Sequence, residues 1–180
     1  MLEEKLIVAG FGGQGVMLMG QILSYAATHE DRNTVWIPSY GPETRGGTAN
    51  CQVTISDERI NSPVVSEPDS LVVMNHPSLA KFENKLKSGG SLFINSSLVE
   101  QDGIRDDVDL YPVDANKIAL DIGNLKVANM VMLGAYIAVT DLFDKEAIFK
   151  VFDELFTGRK EALVALNRKA LEAGMDAVSA

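Results

Sequence analysis

The 180-residue sequence has only one cysteine, fewer basic than acidic side chains and no long apolar run. A single cysteine excludes an internal disulfide framework, an iron–sulfur cluster held by this chain alone and a multi-cysteine zinc site. The formal net charge of −9 opposes binding to a nucleic-acid backbone. The longest apolar run, residues 130–139, is shorter than the roughly 20 residues of a membrane helix. We therefore expect neither a nucleic-acid nor a membrane partner.

The N-terminus also lacks a charged segment followed by an apolar one, the mark of a secretory signal, so we expect a cytoplasmic protein. The length and the 46% hydrophobic content fit one compact domain spanning residues 1–180. The sequence shows no internal repeat, low-complexity tract or linker that would divide it.

Short apolar runs alternate with longer segments of helical character. Strands are predicted at 5–9, 33–38, 70–75 and 91–96, and helices at 16–28, 77–88, 127–139, 145–156 and 160–173. The near-continuous apolar character of the strands is typical of parallel strands that are covered on both faces. This order predicts an α/β, Rossmann-like fold with a mostly parallel sheet and flanking helices.

The segment 49–56 has a different pattern, because apolar and polar residues alternate strictly along it. A period of two is typical of a strand with one buried and one exposed face. We therefore expect one half-exposed strand that is antiparallel or lies at an edge of the sheet.

Four glycines stand between the first predicted strand and the first predicted helix, in the sequence Gly10-Phe11-Gly12-Gly13-Gln14-Gly15. This matches G-x-G-x-x-G in the strand-loop-helix context that the dinucleotide fingerprint requires. Main-chain N–H groups at the start of a helix, together with the helix dipole, form an anion site. The alternatives are glycines that merely pack strand against helix, a phosphate or diphosphate site, an NAD site, and a loop that docks against another subunit.

An NAD site is the less favoured of the ligand interpretations. Such a site needs an acidic side chain at the end of the second strand to bind the ribose hydroxyls. Here that strand ends in Ile37-Pro38-Ser39, and the acidic residues Glu30 and Asp31 precede it.

A second loop, PSYGPETRGGT at 38–48, directly follows the second predicted strand. In a parallel sheet it would lie at the same edge as the glycine loop, where open α/β sheets bind their ligands. Its prolines and glycines are typical of a constrained turn, and an ordinary surface loop is the alternative. Arg45 has a planar donor group that suits a phosphate or a carboxylate. We expect Arg45 to reach an anion held at the start of the first helix.

Together these motifs resemble a known family. GFGGQG, WIPSYGPETRGGTANCQVTIS, VVMNHPSL and GGSLFINSSL follow one another as in the γ subunit of the 2-oxoacid:ferredoxin oxidoreductases, most closely those acting on 2-oxoglutarate or branched-chain 2-oxoacids. The likeness is clearest over the first hundred residues and identifies the chain as a member of the pyruvate/ketoisovalerate oxidoreductase γ-type domain family.

The resemblance implies a multi-subunit enzyme that converts a 2-oxoacid and coenzyme A to an acyl-CoA and carbon dioxide and passes electrons to ferredoxin. Thiamine diphosphate and iron–sulfur clusters would be held by partner subunits. This chain would be an accessory subunit that helps to shape the coenzyme A site. We expect it to bind no metal or cofactor alone, to supply no catalytic residue and to have no turnover when isolated.

Site candidates follow from matching the motifs position by position. They are Gly10, Gly12, Gly13, Gln14 and Gly15 in the glycine loop, Ser39, Tyr40, Gly41, Pro42, Glu43, Arg45, Gly46 and Gly47 in the second loop, and Asn75, Pro77 and Ser78 in the third motif. The resemblance does not say which of them contact ligand and which contact a neighbouring subunit.

Other interpretations stay open at this stage. Subunits of indolepyruvate oxidoreductases share the GGQG loop and the R-G-G turn, so such a subunit is one alternative. Two alternatives come from other functional classes, namely a self-contained nucleotide-binding oxidoreductase or flavoprotein and a regulatory module. His76 lies in the third motif but has no carboxylate partner in the sequence pattern, and Cys51 fits a small core residue. The high apolar content predicts a surface that is covered only in an assembly, so the isolated chain is expected to self-associate.

Overall fold

The computed structural model describes residues 1–42 and 47–179. Its strands are β1 (Glu3–Phe11), β2 (Asn33–Tyr40), β3 (Thr48–Ser56), β4 (Ser70–Val73), β5 (Ser91–Asn95) and β6 (Asp109–Val113). They form one sheet in the order β2-β3-β1-β4-β5-β6. The strands β1, β4, β5 and β6 are parallel, whereas β3 is antiparallel to both of its neighbours. The predicted α/β fold with a mostly parallel sheet is confirmed.

The antiparallel strand is β3, as the alternating pattern predicted, but its expected exposure was wrong. The polar residues Asn50, Thr54 and Ser56 are buried, and β2 rather than β3 forms the edge of the sheet. The segment 57–69 covers this face, since the buried Val65 donates its N–H to Gln52 Oε1 at 2.7 Å. Alternation in a strand indicates two chemically different faces. It does not show whether the polar face is exposed, because an irregular segment elsewhere in the chain can cover that face.

The helices are α1 (Val16–His29), α2 (His76–Phe82), α3 (Ala115–Ile122), α4 (Ala128–Thr140), α5 (Lys145–Leu155) and α6 (Val164–Ser179). Two predicted helices have different bounds. The helix expected at 77–88 ends at Phe82 and continues as a 3₁₀ turn, Glu83–Lys85. The helix expected at 160–173 begins as 3₁₀ structure and extends to Ser179. Within the described part of the chain, no helix is long and apolar enough to cross a bilayer.

Two elements, β6 and α3, were missing from the sequence prediction. The strand β6 reads DLYPV, and a proline within a short run normally argues against a strand because it cannot donate to the ladder. Pro112 is tolerated because β6 is the last strand of the sheet, with β5 on one side only. The helix α3 follows directly and ends at Gly123.

The sheet has a hydrophobic core on each face. Leu6 and Val8 of β1 point into the larger core, which α1, α3, α4, α5 and α6 cover. Ile7 and Ala9 point into the smaller core on the opposite face, where α2 packs. The helices α1 and α2 therefore lie on opposite faces of the sheet.

The helices α4 and α6 approach each other at two glycines. A Cβ built at Gly134 would lie 1.9 Å from the Leu171 carbonyl oxygen, and one at Gly174 would lie 1.8 Å from the Val131 carbonyl oxygen. The two contacts pair rising numbers in α4 with falling numbers in α6, so the helices run antiparallel. Their backbones touch without intervening side chains.

At the amino end of the parallel strands, Glu4 joins three elements. Its Oε1 accepts hydrogen bonds from Ser70 Oγ of β4 at 2.6 Å and from the buried Tyr136 hydroxyl of α4 at 3.0 Å. Burial, with a smaller contribution from Asp69, raises the pKa of the Glu4 carboxyl above its ordinary value of 4.5, although both hydrogen bonds oppose that rise.

We expect Glu4→Gln to stabilise the protein at neutral pH. A carboxyl whose pKa is raised by folding stays protonated to a higher pH in the folded than in the unfolded protein. Stability therefore falls as the pH rises from about 4.5 through the folded-state pKa. The substituted amide has no charge to bury and still offers an Oε1 to both hydroxyls. Thermal unfolding at several pH values should show a higher melting temperature for the variant at pH 7–8, where each kcal/mol of added stability raises it by roughly 2–4 °C. The difference in melting temperature between variant and wild type should shrink toward pH 4.

The neighbouring Glu3 provides the control for this prediction. Its side chain is half-exposed and pairs with Lys5 in solvent, so Glu3→Gln should change stability little. An advantage of Glu4→Gln that does not depend on pH would contradict the proposed cause.

Candidate functional site

The glycine loop and the end of β2 lie at one edge of the sheet. The strands β1 and β2 are both antiparallel to β3, and Gly10 and Tyr40 both pair with Ala49. The N–H of Gly12 donates to the Gly47 carbonyl oxygen at 2.9 Å, which joins the two loops directly. The predicted neighbourhood of the loops is confirmed. Three candidate residues of the second loop, Glu43, Arg45 and Gly46, lie outside the described residues.

A crevice between the carboxyl ends of β1 and β4 is the topological switch point of the sheet. The chain leaves β1 through α1 toward β2 on one side, and it leaves β4 through α2 toward β5 on the other. Because α1 and α2 cover opposite faces, the two connections diverge here. Open α/β sheets bind their ligands at such a point.

Gln14 bridges this crevice with its side-chain amide. Its Oε1 accepts from the Phe11 N–H at 2.7 Å and from Asn75 Nδ2 at 3.1 Å, and its Nε2 donates to the Met74 carbonyl oxygen at 3.2 Å. A Cβ at Gly10 would lie 2.7 Å from Gln14 Oε1, so the first glycine of the motif makes room for this side chain. Gln14 therefore ties the end of β1 to the end of β4.

Asn75 joins the same network from the other strand. It is buried and caps α2, since its Oδ1 accepts from the Ser78 N–H at 2.9 Å. An asparagine before a helix that starts His-Pro-Ser is a favourable cap. The structure thus brings two sequence candidates, Gln14 and Asn75, into direct contact, and both amides are engaged with protein groups.

The last glycine of the motif packs against a residue far away in the sequence. Asn129, in the first turn of α4, is buried and donates from Nδ2 to the Gly15 carbonyl oxygen at 3.3 Å. A Cβ at Gly15 would lie 2.2 Å from that nitrogen. Gly15 also has a φ of 75°, in the left-handed region that side chains disfavour. Both facts require glycine at this position.

The first turn of α1 begins without a side-chain cap from the described residues, and Gly15 is its N-cap residue. The N–H groups of a first turn have no partner within their own helix, and they carry the positive end of the helix dipole. This arrangement is a favourable site for a phosphate or carboxylate group.

A cleft of about 530 Å³ adjoins the start of α1. Its walls combine apolar side chains with amides and one cation, and they are formed by Gly13, Gln14, Met74, Leu98, Asn116, Asn124, Leu125, Lys126, Ala128 and Asn129. Leu98 and Leu125 are about half exposed at its mouth. Such a lining can bind an extended chain that carries amide groups and an anionic end.

Ser39 and Tyr40 take a different position. Both are exposed at the end of the edge strand β2, and Tyr40 is 70% exposed. Neither forms part of the wall of the cleft. Their position suits contact with a second molecule at the edge of the sheet better than contact with a ligand inside the cleft.

Sequence reasoning missed the wall of the cleft opposite the glycine loop. Asn116, Asn124, Lys126 and Asn129 come from α3, the 3₁₀ turn Leu125–Val127 with its N-cap, and the start of α4. One signal was available, because asparagines recur just before or within the first turns of these elements. No helix or strand was predicted between residues 97 and 126, so these asparagines could not be assigned to the starts of helices.

Two other residues have ordinary roles. Cys51 is fully buried in the larger core, as predicted, and burial raises the pKa of its thiol to about 12. His76 is exposed as the first residue of α2. The ranges 1–42 and 47–179 contain no cluster of acidic, histidine or cysteine side chains that could hold a metal ion.

Known proteins resemble this chain over nearly its whole length. It is 43% identical over 176 residues to the ketoisovalerate oxidoreductase subunit VorA of Methanothermobacter thermautotrophicus, matching 97% of this chain but only 36% of that protein. The chain thus spans about a third of the length of the VorA relatives. It is 37% identical to the 2-oxoglutarate synthase subunit KorC of Methanocaldococcus jannaschii, covering 89% of this chain and 88% of that one.

A solved structure agrees with both the fold and the sequence likeness. The γ subunit of a keto/oxoacid ferredoxin oxidoreductase from Geobacter sulfurreducens superposes with a TM-score of 0.84 at 33% identity, covering 98% of each chain. The model of the family described as pyruvate ferredoxin/flavodoxin oxidoreductase matches residues 5–177. These matches confirm the resemblance in the sequence motifs, and the chain belongs to the pyruvate ferredoxin/flavodoxin oxidoreductase family.

Proposed function

We propose that this chain is the γ-type subunit of a 2-oxoacid:ferredoxin oxidoreductase. The observation that carries the proposal is the agreement in length with separate subunits, since KorC and the Geobacter γ subunit are matched over 88% and 98% of their chains. In this role the chain assembles with subunits that hold thiamine diphosphate and iron–sulfur clusters.

The reaction class is the oxidative decarboxylation of a 2-oxoacid. The bond between the carbonyl carbon and the carboxylate breaks to release carbon dioxide, the acyl group joins the sulfur of coenzyme A, and two electrons pass to ferredoxin. The relatives carry the names of 2-oxoglutarate, ketoisovalerate and pyruvate enzymes, and 2-oxoglutarate is the acid that we propose. Thiamine diphosphate, on a partner, would supply the carbanion chemistry.

The part that this chain plays is binding rather than chemistry. The start of α1 offers N–H groups to an anion, Lys126 adds a positive charge, and the cleft between them has apolar and amide walls. Coenzyme A carries phosphates on an extended chain with two amide groups. The cleft beside the start of α1 would hold one side of coenzyme A, and partner subunits would enclose the rest.

The second strand argues against a self-contained dinucleotide enzyme. An NAD site needs an acidic side chain at the end of that strand for the ribose hydroxyls, and β2, NTVWIPSY, has none. The spaces beside the first and last glycines of the loop are taken by the chain's own amides, since Gln14 lies beside Gly10 and Asn129 lies beside Gly15.

The isolated chain should show no oxidoreductase turnover, whereas the assembled complex should be active. Affinity purification of the tagged chain from its native cells would identify the partners, which should carry thiamine diphosphate and cysteine-rich cluster motifs. Assays with 2-oxoglutarate or ketoisovalerate, coenzyme A and a viologen acceptor would then compare the chain with the complex. Robust turnover by the pure chain would contradict the proposal, and so would a purified complex that does not require coenzyme A.

A further inference from the structure

We propose that Asn129 is a positioning residue that holds the glycine loop in the shape needed to bind an anion. This rests on the proposed function of the cleft and adds a residue to which neither the sequence motifs nor the family resemblance gave a role. Asn129 lies 114 positions from Gly15 in the chain, yet its amide is packed directly against that glycine.

The side chain of Asn129 links two walls of the cleft. Its Nδ2 donates to the Gly15 carbonyl oxygen at 3.3 Å, and its Oδ1 accepts from the Met130 N–H at 3.0 Å. The same Gly15 oxygen accepts the Met19 N–H at 3.2 Å, which is the first hydrogen bond of α1. Asn129 therefore holds the carbonyl group at which the loop turns into the helix.

The close packing limits where the loop can move. Gly15 has left-handed φ, and the space where its side chain would be is taken by the Asn129 amide. On the other side, the main-chain N–H of Gly12 donates to the Gly47 carbonyl oxygen and that of Gln14 to the Phe11 carbonyl oxygen, so the loop is held at both ends. Removal of the Asn129 amide frees the end nearest the helix, where the N–H groups of the first turn of α1 lie.

Two variants separate positioning from ordinary packing. Asn129→Ala removes both hydrogen bonds and leaves a gap beside Gly15. Asn129→Asp keeps the size and the acceptor for Met130, and a negative charge in the first turn of α4 favours that helix. It loses the donor to Gly15 and sets a carboxylate against a carbonyl oxygen and near the anion position. Asn129→Asp should therefore disturb the loop without leaving the gap that Asn129→Ala leaves.

Hydrogen exchange of the isolated chain is the first measurement, and it does not depend on activity. The amides of Gly12, Gln14 and Met19 are hydrogen-bonded in the loop and at the start of α1, so peptides covering residues 11–19 should exchange faster in both variants. Exchange in α6 should not change. Asn167→Ala is the matched control, since Asn167 is a buried amide in the first turn of α6, outside the wall of the cleft.

Kinetics of the complex, purified with its partner subunits, is the second measurement. The KM for coenzyme A should rise several-fold in Asn129→Ala, where only the loop is disturbed, and about tenfold in Asn129→Asp, where the carboxylate also repels the anion, with kcat within about twofold of the wild type in both. Unchanged exchange at residues 11–19 in both variants would overturn the proposal, as would a uniform increase over the whole chain. Faster exchange in the loop with an unchanged KM would also overturn it. A wild-type complex that does not use coenzyme A would refute the proposed function instead, with the exchange result still standing.

Discussion

Gly174→Ala should destabilise the protein by about 3 kcal/mol or more, although alanine is the better helix former. Helix propensity alone favours alanine over glycine by about 1 kcal/mol. However, the new Cβ would lie 1.8 Å from the Val131 carbonyl oxygen, so α4 and α6 must separate by roughly 1 Å or more to relieve the clash. Since α4 lies in the middle of the larger core, that movement opens contacts on every side of it. Thermal and urea unfolding would measure the loss, expected at roughly 6–12 °C in melting temperature.

Gly134→Ala should behave in the same way, because its Cβ would lie 1.9 Å from the Leu171 carbonyl oxygen. Ala177→Gly is the control that makes the reverse exchange at an exposed position of α6. It should cost about 1 kcal/mol or less, the propensity difference alone. A Gly174→Ala variant as stable as the wild type, or more stable, would show that the two backbones do not touch.

The parts of the fold that could be predicted from sequence are those whose signals are local. The run Leu6–Ala9 and the glycines after it predict β1 and its turn into α1, because strand, loop and helix are contiguous. Pro112 hid β6, since a proline is compatible with a strand only at an edge, and the position of β6 in the sheet is not written in its own five residues.

The exposure of β3 shows a second limit. Its alternation predicted two different faces, and the structure has them, with Cys51 and Val53 in the larger core. Whether the polar face meets solvent depends on the segment 57–69, which has no regular structure and no periodic pattern to predict. Burial of that face is a tertiary property.

The candidate site likewise has parts that local sequence signals predict and parts that only the tertiary structure brings together. The glycine loop and Asn75 could be found because they stand at predicted strand ends, and parallel strands bring such ends together. The opposite wall, with Lys126 and Asn129, could not be found because its elements lie about 100 residues or more further along the chain. The sequence also did not predict the role of Gly10 and Gly15. The atoms that lie beside these glycines belong to side-chain amides, and their positions are known only from the structure.

Gln14→Ala should lower the free energy of unfolding by about 2–3 kcal/mol and weaken coenzyme A binding in the complex. The substitution removes three hydrogen bonds and leaves the Phe11 N–H and the Met74 carbonyl oxygen without their partner. The ends of β1 and β4 are then no longer tied across the crevice, and the start of α1 moves with the loop. Urea unfolding would measure the first effect, and the KM for coenzyme A, expected to rise about tenfold, the second.

Gln14→Glu tests the bridge between β1 and β4 directly and should also lower the free energy of unfolding. It keeps the oxygen that accepts from Phe11 and Asn75, but it places a second oxygen against the Met74 carbonyl group, where Nε2 now donates at 3.2 Å. Gln52→Ala is the matched control, because Gln52 accepts one hydrogen bond from Val65 and lies outside the cleft. It should lower stability by about 1 kcal/mol and leave the KM unchanged. If Gln14→Ala raised the KM with no loss of stability, Gln14 would act on the ligand itself and not through the bridge between β1 and β4.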